Sequence, residues 1–519
     1  MNRGTRRARS LALSLAGVLV VAACSSGTSS SGDDDAEEQV ADEAEEQVTE
    51  EEPTGPVPGA DVARPTVTGP VTGGTHERPF NAMPASLAER YEYVEEEYFL
   101  EGEATAYEPE GELGQDGRWT VIEAGTAPYR TRIIVRRPGD PDAFDGTVFV
   151  EWLNVSGGVD GDPEFALAHS ELLGHGSAYI GVSAQTVGVE GGEAAVPIEV
   201  PGVEIQALKE WDPERYGELS HPGDPYSYDI FSQAAQAVRR PGDVDVLGGL
   251  ATRQVIAMGE SQSGARMLTY VDAVHPIAGI YDGFLVHSRG SGGSPLGEGG
   301  FILGEGVAHV REDLDVPVLQ FETETDLFGV LGFHAARQDD TEMLRTWEVA
   351  GTAHADQSVL DYNAELAEEV AGGFDVAAQC GSINEGPQAE VLRAAIAALR
   401  AWVVDGDVPP ETPPLEVEGD AIARDERGIA RGGIRTPAVD TPISVLTGEA
   451  PPDRDVLCLL FGETRPFDAT TLAELYPTHQ DYVDAVTESA DAAVAAGFLL
   501  QADANALIAA AEEASVPSE

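Results

Sequence analysis

The chain of 519 residues is poor in basic residues, since 30 are lysine or arginine whereas 92 are aspartate or glutamate. Lys209 is the only lysine, and the formal net charge is −62. A surface of this charge repels the phosphate backbone of nucleic acids, whose binding requires clustered basic side chains. The composition therefore makes nucleic acid an implausible partner and an anionic polymer an unfavourable substrate.

The N-terminus lacks an apolar run long enough to cross a membrane, which takes about 20 apolar residues. Instead, four arginines precede a short apolar segment at 11–22, a pattern typical of a cleaved export signal. Residues 21–24 read VAAC and resemble a bacterial lipobox, whose cysteine becomes an acylated N-terminus. We predict a signal peptide over 1–23 and a lipid anchor on Cys24 at the outer face of the bacterial cell membrane. The alternative is an ordinary signal peptide with a chance cysteine.

The body of the chain begins after a strongly acidic segment. Residues 24–58 are rich in serine, glycine and acids, so they bury too little apolar surface to offset their chain entropy, and we predict a solvated tether. Alternating strand and helix patterns over 59–405 indicate one enlarged catalytic domain. Residues 406–519, which begin near a proline-rich break, are expected to form an accessory region packed on that domain.

Cysteine is scarce, with Cys24, Cys380 and Cys458 as the whole set. Three thiols are too few for a zinc ribbon or an iron–sulfur cluster. If Cys24 is acylated, the other two meet in an oxidising compartment, where pairing is the default. We predict a disulfide between Cys380 and Cys458, with two separate buried thiols as the alternative.

The order of elements in the body is that of an α/β protein. Paired strands are predicted first, then buried strands separated by segments with helical spacing, which together indicate a doubly wound, mostly parallel sheet with an antiparallel start and a long C-terminal accessory region. The predicted strands are 93–107, 119–135, 146–153, 178–183, 254–258, 277–285, 316–321 and 345–349. The predicted helices are 164–173, 230–238, 265–274 and 389–404, followed by a mostly helical tail over 469–513.

The sharpest chemical signal is the sequence GESQSG at 259–264, between a predicted strand and a predicted helix. A serine raised on a tight strand-to-helix turn needs small residues two positions before and after it, and Gly259 and Ser263 meet this need. The helix N-terminus also offers amide donors to a developing oxyanion. We predict Ser261 as the nucleophile. The alternatives are Ser263, which would shift the serine into the helix, and a plain Ser/Gly-rich helix cap.

A serine nucleophile needs a base and an acid, which in this type of sheet follow in the chain order serine, acid, histidine. Three acids lie in the turn 322–326 after the predicted strand 316–321, and we favour Asp326 over Glu324 because of its place at the end of that turn. His354 follows the strand 345–349 in a turn of small residues, which lets an imidazole reach the serine.

An oxyanion site requires two backbone amides. One is expected from Gln262, the residue after the nucleophile. The other is expected from Asn154 or Val155, in the glycine-containing loop after the strand 146–153. The alternative interpretation of that loop is a simple tight turn.

Several of these segments resemble a bacterial, often secreted branch of the α/β-hydrolase superfamily. They are 150–158 (VEWLNVSGG), 179–185 (YIGVSAQ), 259–264, 281–289 (YDGFLVHSR) and 347–356 (WEVAGTAHAD), with further ones at 384–388 and 432–437. The resemblance runs from about residue 59 to the C-terminus. It implies the α/β-hydrolase fold, a mechanism based on Ser261, an acid and His354, and no metal or cofactor. It does not imply a substrate.

The expected function is hydrolysis of a small carboxylic ester outside the cytoplasm, through an acyl-enzyme on Ser261. Acyl transfer uses the same groups, so a lipid-anchored acyltransferase is one alternative. The other is a non-catalytic binding lipoprotein that keeps the fold but not the chemistry.

Overall fold

The computed structural model describes residues 58–192, 194–196, 206–297, 306–370, 376–451 and 454–517, with the backbone alone for 366–370. The predicted signal peptide, Cys24 and nearly all of the tether lie outside these residues. The described residues belong to one compact unit that begins at Pro56. None of the helices in this part of the chain is both long and apolar enough to span a membrane.

The described residues form eleven strands, nine of them in one central sheet. The strands are β1 Thr66–Thr68, β2 Tyr93–Pro109, β3 Val121–Pro138, β4 Thr147–Trp152, β5 Ala178–Val182, β6 Gln254–Glu260, β7 Gly283–His287, β8 Val318–Glu322, β9 Leu344–Glu348, β10 Ser444–Thr447 and β11 Glu463–Pro466. The large sheet has the order β1-β2-β3-β5-β4-β6-β7-β8-β9. The pairings β1–β2, β2–β3 and β3–β5 are antiparallel, and all later ones are parallel. The predicted sheet, mostly parallel with an antiparallel start, is confirmed.

Helices precede or follow most of the parallel strands. They are α1 Ala85–Tyr91, α2 Pro163–Gly174, α3 Thr186–Glu190, α4 Leu208–Trp211, α5 Pro213–Tyr216, α6 Ser227–Arg239, α7 Gln262–Thr269, α8 His275–Ala278, α9 Glu324–Leu327, α10 Gln357–Val370, α11 Val376–Cys380, α12 Gln388–Asp405, α13 Pro437–Asp440, α14 Val456–Leu460, α15 Ala469–Leu475, α16 His479–Ala496 and α17 Gln501–Glu513. Single 3-10 turns lie at Pro141–Ala143, Asp224–Tyr226 and Phe333–Ala336, and a π turn at Tyr270–Val274 continues α7.

Both faces of the sheet are covered by helices, as its continuous apolar strands require. Successive side chains of a strand point to opposite faces. In β4, Val148 and Val150 accordingly join a core that contains residues of α6 and α7, whereas Phe149 joins the core that contains residues of α2 and α12. Each such burial stabilises the fold by about 1.5–3 kcal/mol relative to exposure. The parallel strands are thus fixed in register, with their carboxyl ends at one edge of the sheet.

The strand predicted over 277–285 is wrong in its first half. Residues His275–Ala278 form the short helix α8, and β7 begins only at Gly283. Pro276 suits the first turn of a helix, where its missing N–H has no intrahelical partner to lose. Gly279 then ends the helix in the left-handed conformation with φ 50°. A short apolar run does not distinguish helix from strand by its periodicity.

The C-terminal region contacts the sheet and its helices at several points. Ile434 forms a parallel bridge with Val349, directly after β9. Asp503 in α17 forms an ion pair with Arg393 in α12, with 2.7 Å between the nearest atoms. The antiparallel strands β10 and β11 lie in the same region. These contacts tie the C-terminal residues to the edge of the sheet that carries β8 and β9.

Candidate active site

Ser261 lies at a sharp turn between β6 and α7, with φ 58° and ψ −115°. A non-glycine residue in this conformation is strained and is held only when its surroundings enforce it. Close backbone approach enforces it here. A Cβ atom on Gly264 would collide with the carbonyl oxygen of His287 in β7, and one on Gly259 would lie 2.8 Å from the carbonyl oxygen of Ser263. The turn therefore presents Ser261 beyond the carboxyl end of β6.

The structure brings Ser261, His354 and Asp326 together in one buried line. The Nε2 atom of His354 lies 2.8 Å from Oγ of Ser261, and its Nδ1 atom lies 2.7 Å from Oδ1 of Asp326. Asp326 is in α9, just after β8, and His354 follows β9 by six residues. With Nδ1–H donated to the carboxylate, Nε2 of a neutral imidazole presents its lone pair to the serine hydroxyl, which is the geometry that general-base activation requires.

The carboxylate of Asp326 is held by further donors. Its Oδ2 atom accepts hydrogen bonds from the backbone N–H of Thr323 at 2.6 Å, from Oγ1 of Thr323 at 2.7 Å and from Oγ of Ser288 at 2.7 Å. Ser288 follows β7 and has φ 50°. Burial raises the pKa of Asp326, but the imidazole of His354 and these donors outweigh burial and hold the pKa below its usual value. Asp326 therefore stays ionised beside the imidazole.

Glu324, the alternative acid, points away from His354. Its Oε1 atom accepts from the backbone N–H of Gly351 at 2.6 Å, and its Oε2 atom lies 2.9 Å from Nη2 of Arg424. Ser263, the alternative nucleophile, donates its hydroxyl to the carbonyl oxygen of Glu260 at 2.8 Å. Both groups are thus committed to local structure, and the geometry favours Asp326 and Ser261.

The predicted oxyanion donors differ in whether their backbone N–H groups are available. The backbone N–H of Gln262 has no hydrogen-bond partner among the described residues, as expected for a helix N-terminus that faces a substrate. The backbone N–H of Asn154 donates to the carbonyl oxygen of Gly161 at 2.9 Å, so it is not available. That of Val155 has no partner among the described residues. Val155 is therefore the remaining candidate for the second donor.

Glu260 is the site residue that the sequence reasoning missed. Its Oε1 atom lies 3.2 Å from Nε2 of His354, and its Oε2 atom accepts from Nδ2 of Asn154 at 3.3 Å. Burial raises the pKa of Glu260 to about 7, although His354 and His287 oppose this effect. Burial lowers the pKa of His354, but the charges of Glu260 and Asp326 outweigh it and raise that pKa to about 9. An acid directly before the serine was visible in the motif; its contact with the histidine was not.

A cavity of about 390 Å³ opens beside Ser261 and His354. This volume lies in the range of pockets that bind small molecules. Much of its wall is apolar and includes Val330, Leu331, Val456, Leu457, Leu460 and Phe461. A second cavity of about 190 Å³ shares four of these residues, Val330, Leu331, Val456 and Leu460, so the two cavities are neighbours.

The described wall of the cavity contains no lysine or arginine side chain. Its two aspartates, Asp160 and Asp162, are already paired. Asp160 lies 3.2 Å from Nη1 of Arg132, and Asp162 lies 2.7 Å from Nη1 of Arg136. An anionic ligand would therefore lose hydration without gaining a lysine or arginine counterion.

The structure contains the predicted disulfide between Cys380 in α11 and Cys458 in α14, with 5.2 Å between the two Cα atoms. Asp455 is near both sulfurs. In the described part of the chain, these three residues are the one set of at least three potential metal ligands whose ligand atoms lie close to one another. Because the sulfurs are bonded to each other, they offer no thiolate to a metal. The disulfide instead fixes α14, which supplies part of the cavity wall.

The sheet order, the turn at Ser261 and the position of the three polar residues are those of an α/β hydrolase. The model of the family described as "Alpha/beta hydrolase domain" matches residues 67–509. The chain belongs to this family, and the match includes nearly all of the C-terminal region.

Comparison with solved structures gives more distant matches. A serine hydrolase without a lid from Xanthomonas campestris is 13% identical with a TM-score of 0.27, and the match covers 52% of this chain and 94% of the other. A putative dienelactone hydrolase from Klebsiella pneumoniae is 14% identical with a TM-score of 0.25, over 53% and 98%. A cold-adapted esterase from an Arctic intertidal metagenomic library is 12% identical with a TM-score of 0.25, over 49% and 84%. Curated proteins gave no match.

Proposed function

We propose that this protein is an exported, lipid-anchored serine hydrolase that cleaves small carboxylic esters through an acyl-enzyme on Ser261. The observation that carries the proposal is the buried line of hydrogen bonds from Asp326 through His354 to Ser261. Such a line converts an ordinary hydroxyl into a nucleophile when the imidazole is neutral.

Each step of the reaction uses a group whose position is given above. Nε2 of His354 takes the hydroxyl proton while Oγ of Ser261 bonds to the carbonyl carbon, and the backbone N–H groups of Gln262 and Val155 stabilise the resulting oxyanion. The intermediate collapses as the alkoxide leaves with the proton from Nε2. Water then attacks the acyl-enzyme through the same steps, which releases the acid and restores the serine.

The cavity supports an uncharged ester with an apolar chain as the substrate. Each methylene of a substrate that the apolar wall removes from water stabilises the complex by about 0.8 kcal/mol. The absence of lysine and arginine from the described wall and the net charge of −62 both disfavour anionic esters. The second cavity, beyond Val330 and Val456, gives a longer chain additional apolar surface to occupy.

Fluorophosphonate labelling of the purified mature protein tests the nucleophile directly. We expect labelling of the wild type and of Ser263→Ala but none of Ser261→Ala, because of these two serines only Ser261 contacts the imidazole of His354. Hydrolysis of short uncharged esters should be lost in the same variant. A folded wild type that neither labels nor hydrolyses esters would leave a binding lipoprotein as the better interpretation.

The same preparation separates hydrolysis from acyl transfer. The ester is incubated with and without an added alcohol, and the acid and the new ester are quantified. Free acid as the main product in both mixtures supports a hydrolase. A new ester as the main product whenever alcohol is present would make the protein an acyltransferase.

The anchor is tested in cells, because residues 1–57 carry it. We expect the wild type to incorporate labelled fatty acid and to remain with the membrane fraction. Cys24→Ser should abolish both, whereas Ser26→Ala, a matched change two residues away, should alter neither. Membrane retention of the unlabelled Cys24→Ser protein would contradict the anchor without affecting the proposed chemistry.

A further inference from the structure

Two carboxylates, not one, contact the imidazole of His354. Asp326 contacts Nδ1 at 2.7 Å, and Glu260 contacts Nε2 at 3.2 Å. Oγ of Ser261 lies 2.8 Å from the same Nε2 atom. The nitrogen that has to accept the serine proton is therefore shared between a hydroxyl and a carboxylate.

In this arrangement the protonation state of Glu260 and that of His354 depend on each other. With Nδ1–H donated to Asp326, a neutral imidazole presents a lone pair at Nε2, which a hydroxyl stabilises and an ionised carboxylate at 3.2 Å repels. An imidazolium presents an N–H at Nε2, which the carboxylate of Glu260 stabilises. The ionised form of Glu260 and the neutral, base-competent form of His354 thus oppose each other.

The position of Glu260 is fixed by its surroundings. Nδ2 of Asn154 donates to its Oε2 atom at 3.3 Å and to its backbone carbonyl oxygen at 3.0 Å. Its backbone N–H is 3.1 Å from Oγ of Ser263. These hydrogen bonds hold the Glu260 side chain in place, so its contact with His354 belongs to the site.

The other charged and polar groups around the pair come from four elements. Asp326 in α9 contacts His354, and His287 at the end of β7 faces Glu260. His287 in turn lies 3.2 Å from Glu164 in α2, and Nε2 of Gln388 in α12 is within 3.3 Å of both His287 and the carbonyl oxygen of His354. Among the described groups, Glu260 is the carboxylate that contacts Nε2.

We propose that Glu260 is a positioning residue that retains a proton on Nε2 of His354 in the resting enzyme and stabilises the imidazolium that forms when Ser261 attacks. This inference rests on the proposed function. It assigns to Glu260 two opposed effects: fewer active molecules at neutral pH, and a more favourable transition state once the proton has left.

The pH dependence of activity follows from this assignment. Because the two groups are coupled, the values belong to the pair: about 7 for Glu260 and about 9 for His354. Between these values the pair is carboxylate and imidazolium, and the base is blocked. The kcat/KM of the wild type should therefore rise with pH until the imidazolium loses its proton near pH 9.

Glu260→Gln tests the proposal, because it removes the charge and keeps the shape. Loss of the carboxylate should lower the pKa of His354, so the acid limb of kcat/KM should move down by about 1–3 pH units. On the acid side each unit makes the variant roughly tenfold more active than the wild type. At high pH the variant should be slower, because its imidazolium lacks the stabilising charge. The two profiles should cross.

Two further variants separate this role from a structural one. Glu260→Asp retains a carboxylate and should keep an acid limb closer to that of the wild type. Glu348→Gln removes another buried carboxylate, which pairs with Arg337 and does not contact His354. This variant should be less stable but should keep the acid limb of kcat/KM at the wild-type pH. Titration of selectively ¹⁵N-labelled histidine should report the same shift of His354 without substrate.

Parallel profiles that differ only by a constant factor would overturn the proposal, as would a wild-type limb near the ordinary histidine pKa of about 6.5. In either case, labelling of Ser261 by a fluorophosphonate would still support the proposed serine hydrolase. Absence of labelling and of hydrolysis at every pH would instead reject the proposed function, and with it the role of Glu260.

Discussion

Nη2 of Arg424 lies 2.9 Å from Oε2 of Glu324, and this ion pair joins the C-terminal region to the loop that carries Asp326. The other carboxylate oxygen of Glu324 accepts from the backbone N–H of Gly351, in the loop that carries His354. One buried side chain therefore connects the acid loop, the histidine loop and the C-terminal region. The C-terminal region thus directly contacts the segment that carries Asp326.

We expect Arg424→Ala to lower the free energy of unfolding by roughly 3 kcal/mol, because it leaves the buried carboxylate of Glu324 without its cation. The measurement is denaturant unfolding of the mature protein. Arg431→Ala is the matched control, since Arg431 pairs with the exposed acids Glu416 and Glu418. It should cost less than about 1 kcal/mol. Equal losses in both variants would contradict a special role for the Arg424 pair.

We expect Asp326→Asn to reduce kcat by roughly 10⁴-fold with little change in stability, because an amide cannot stabilise the imidazolium or fix its tautomer. Steady-state ester hydrolysis and unfolding curves measure the two effects. Glu324→Gln should show the reverse pattern, a clear loss of stability and a smaller loss of kcat. If Glu324→Gln were inactive but stable while Asp326→Asn stayed active, Glu324 would be the acid.

The disulfide should stabilise both the fold and the cavity wall. It closes a loop with a sequence separation of 78 residues, for which the chain-entropy model gives roughly 4 kcal/mol. We expect the double variant Cys380→Ser with Cys458→Ser to unfold at lower denaturant and to show a higher KM for longer esters, since Cys458 lies in α14. Reductant should change the wild type in the same direction and leave the double variant unaffected.

The wall between the two cavities should set the preference for chain length. Val456 lines both cavities and is 47% exposed, so Val456→Asp should fold while placing a charge in the path of a long chain. Two ester series distinguish which part of the substrate occupies the cavities: methyl esters of longer acids and acetates of longer alcohols. In one series the wild type should gain up to about fourfold in kcat/KM per methylene, and the variant should lose that gain.

Val404 provides the control for this experiment, because it is 49% exposed and does not line either cavity. Val404→Asp should behave like the wild type with every ester. Rates that stay flat or fall with length in both series would show that the substrate is short and polar. That result would leave the role of Ser261 unaffected.

The sequence by itself determined those features that depend on local order along the chain. A strand, a tight turn and a helix placed Ser261, and the succession of strand ends placed Asp326 and His354 at the same edge of a parallel sheet. Apolar periodicity gave the sheet class, although it misread His275–Ala278, where Pro276 and Gly279 favour a helical turn. The pairing of Cys380 with Cys458 was predicted from the small number of cysteines and the expected export signal.

The tertiary structure decided which polar atoms meet. Glu260 contacts His354, the side chain of Asn154 donates to Glu260, and Glu324 binds Arg424 instead of the histidine. The two residues of each pair are about 100 positions apart in the chain, and each pair includes a glutamate, a common residue type in so acidic a protein. Only packing, which fixes side-chain direction to within an ångström, selects one carboxylate among many.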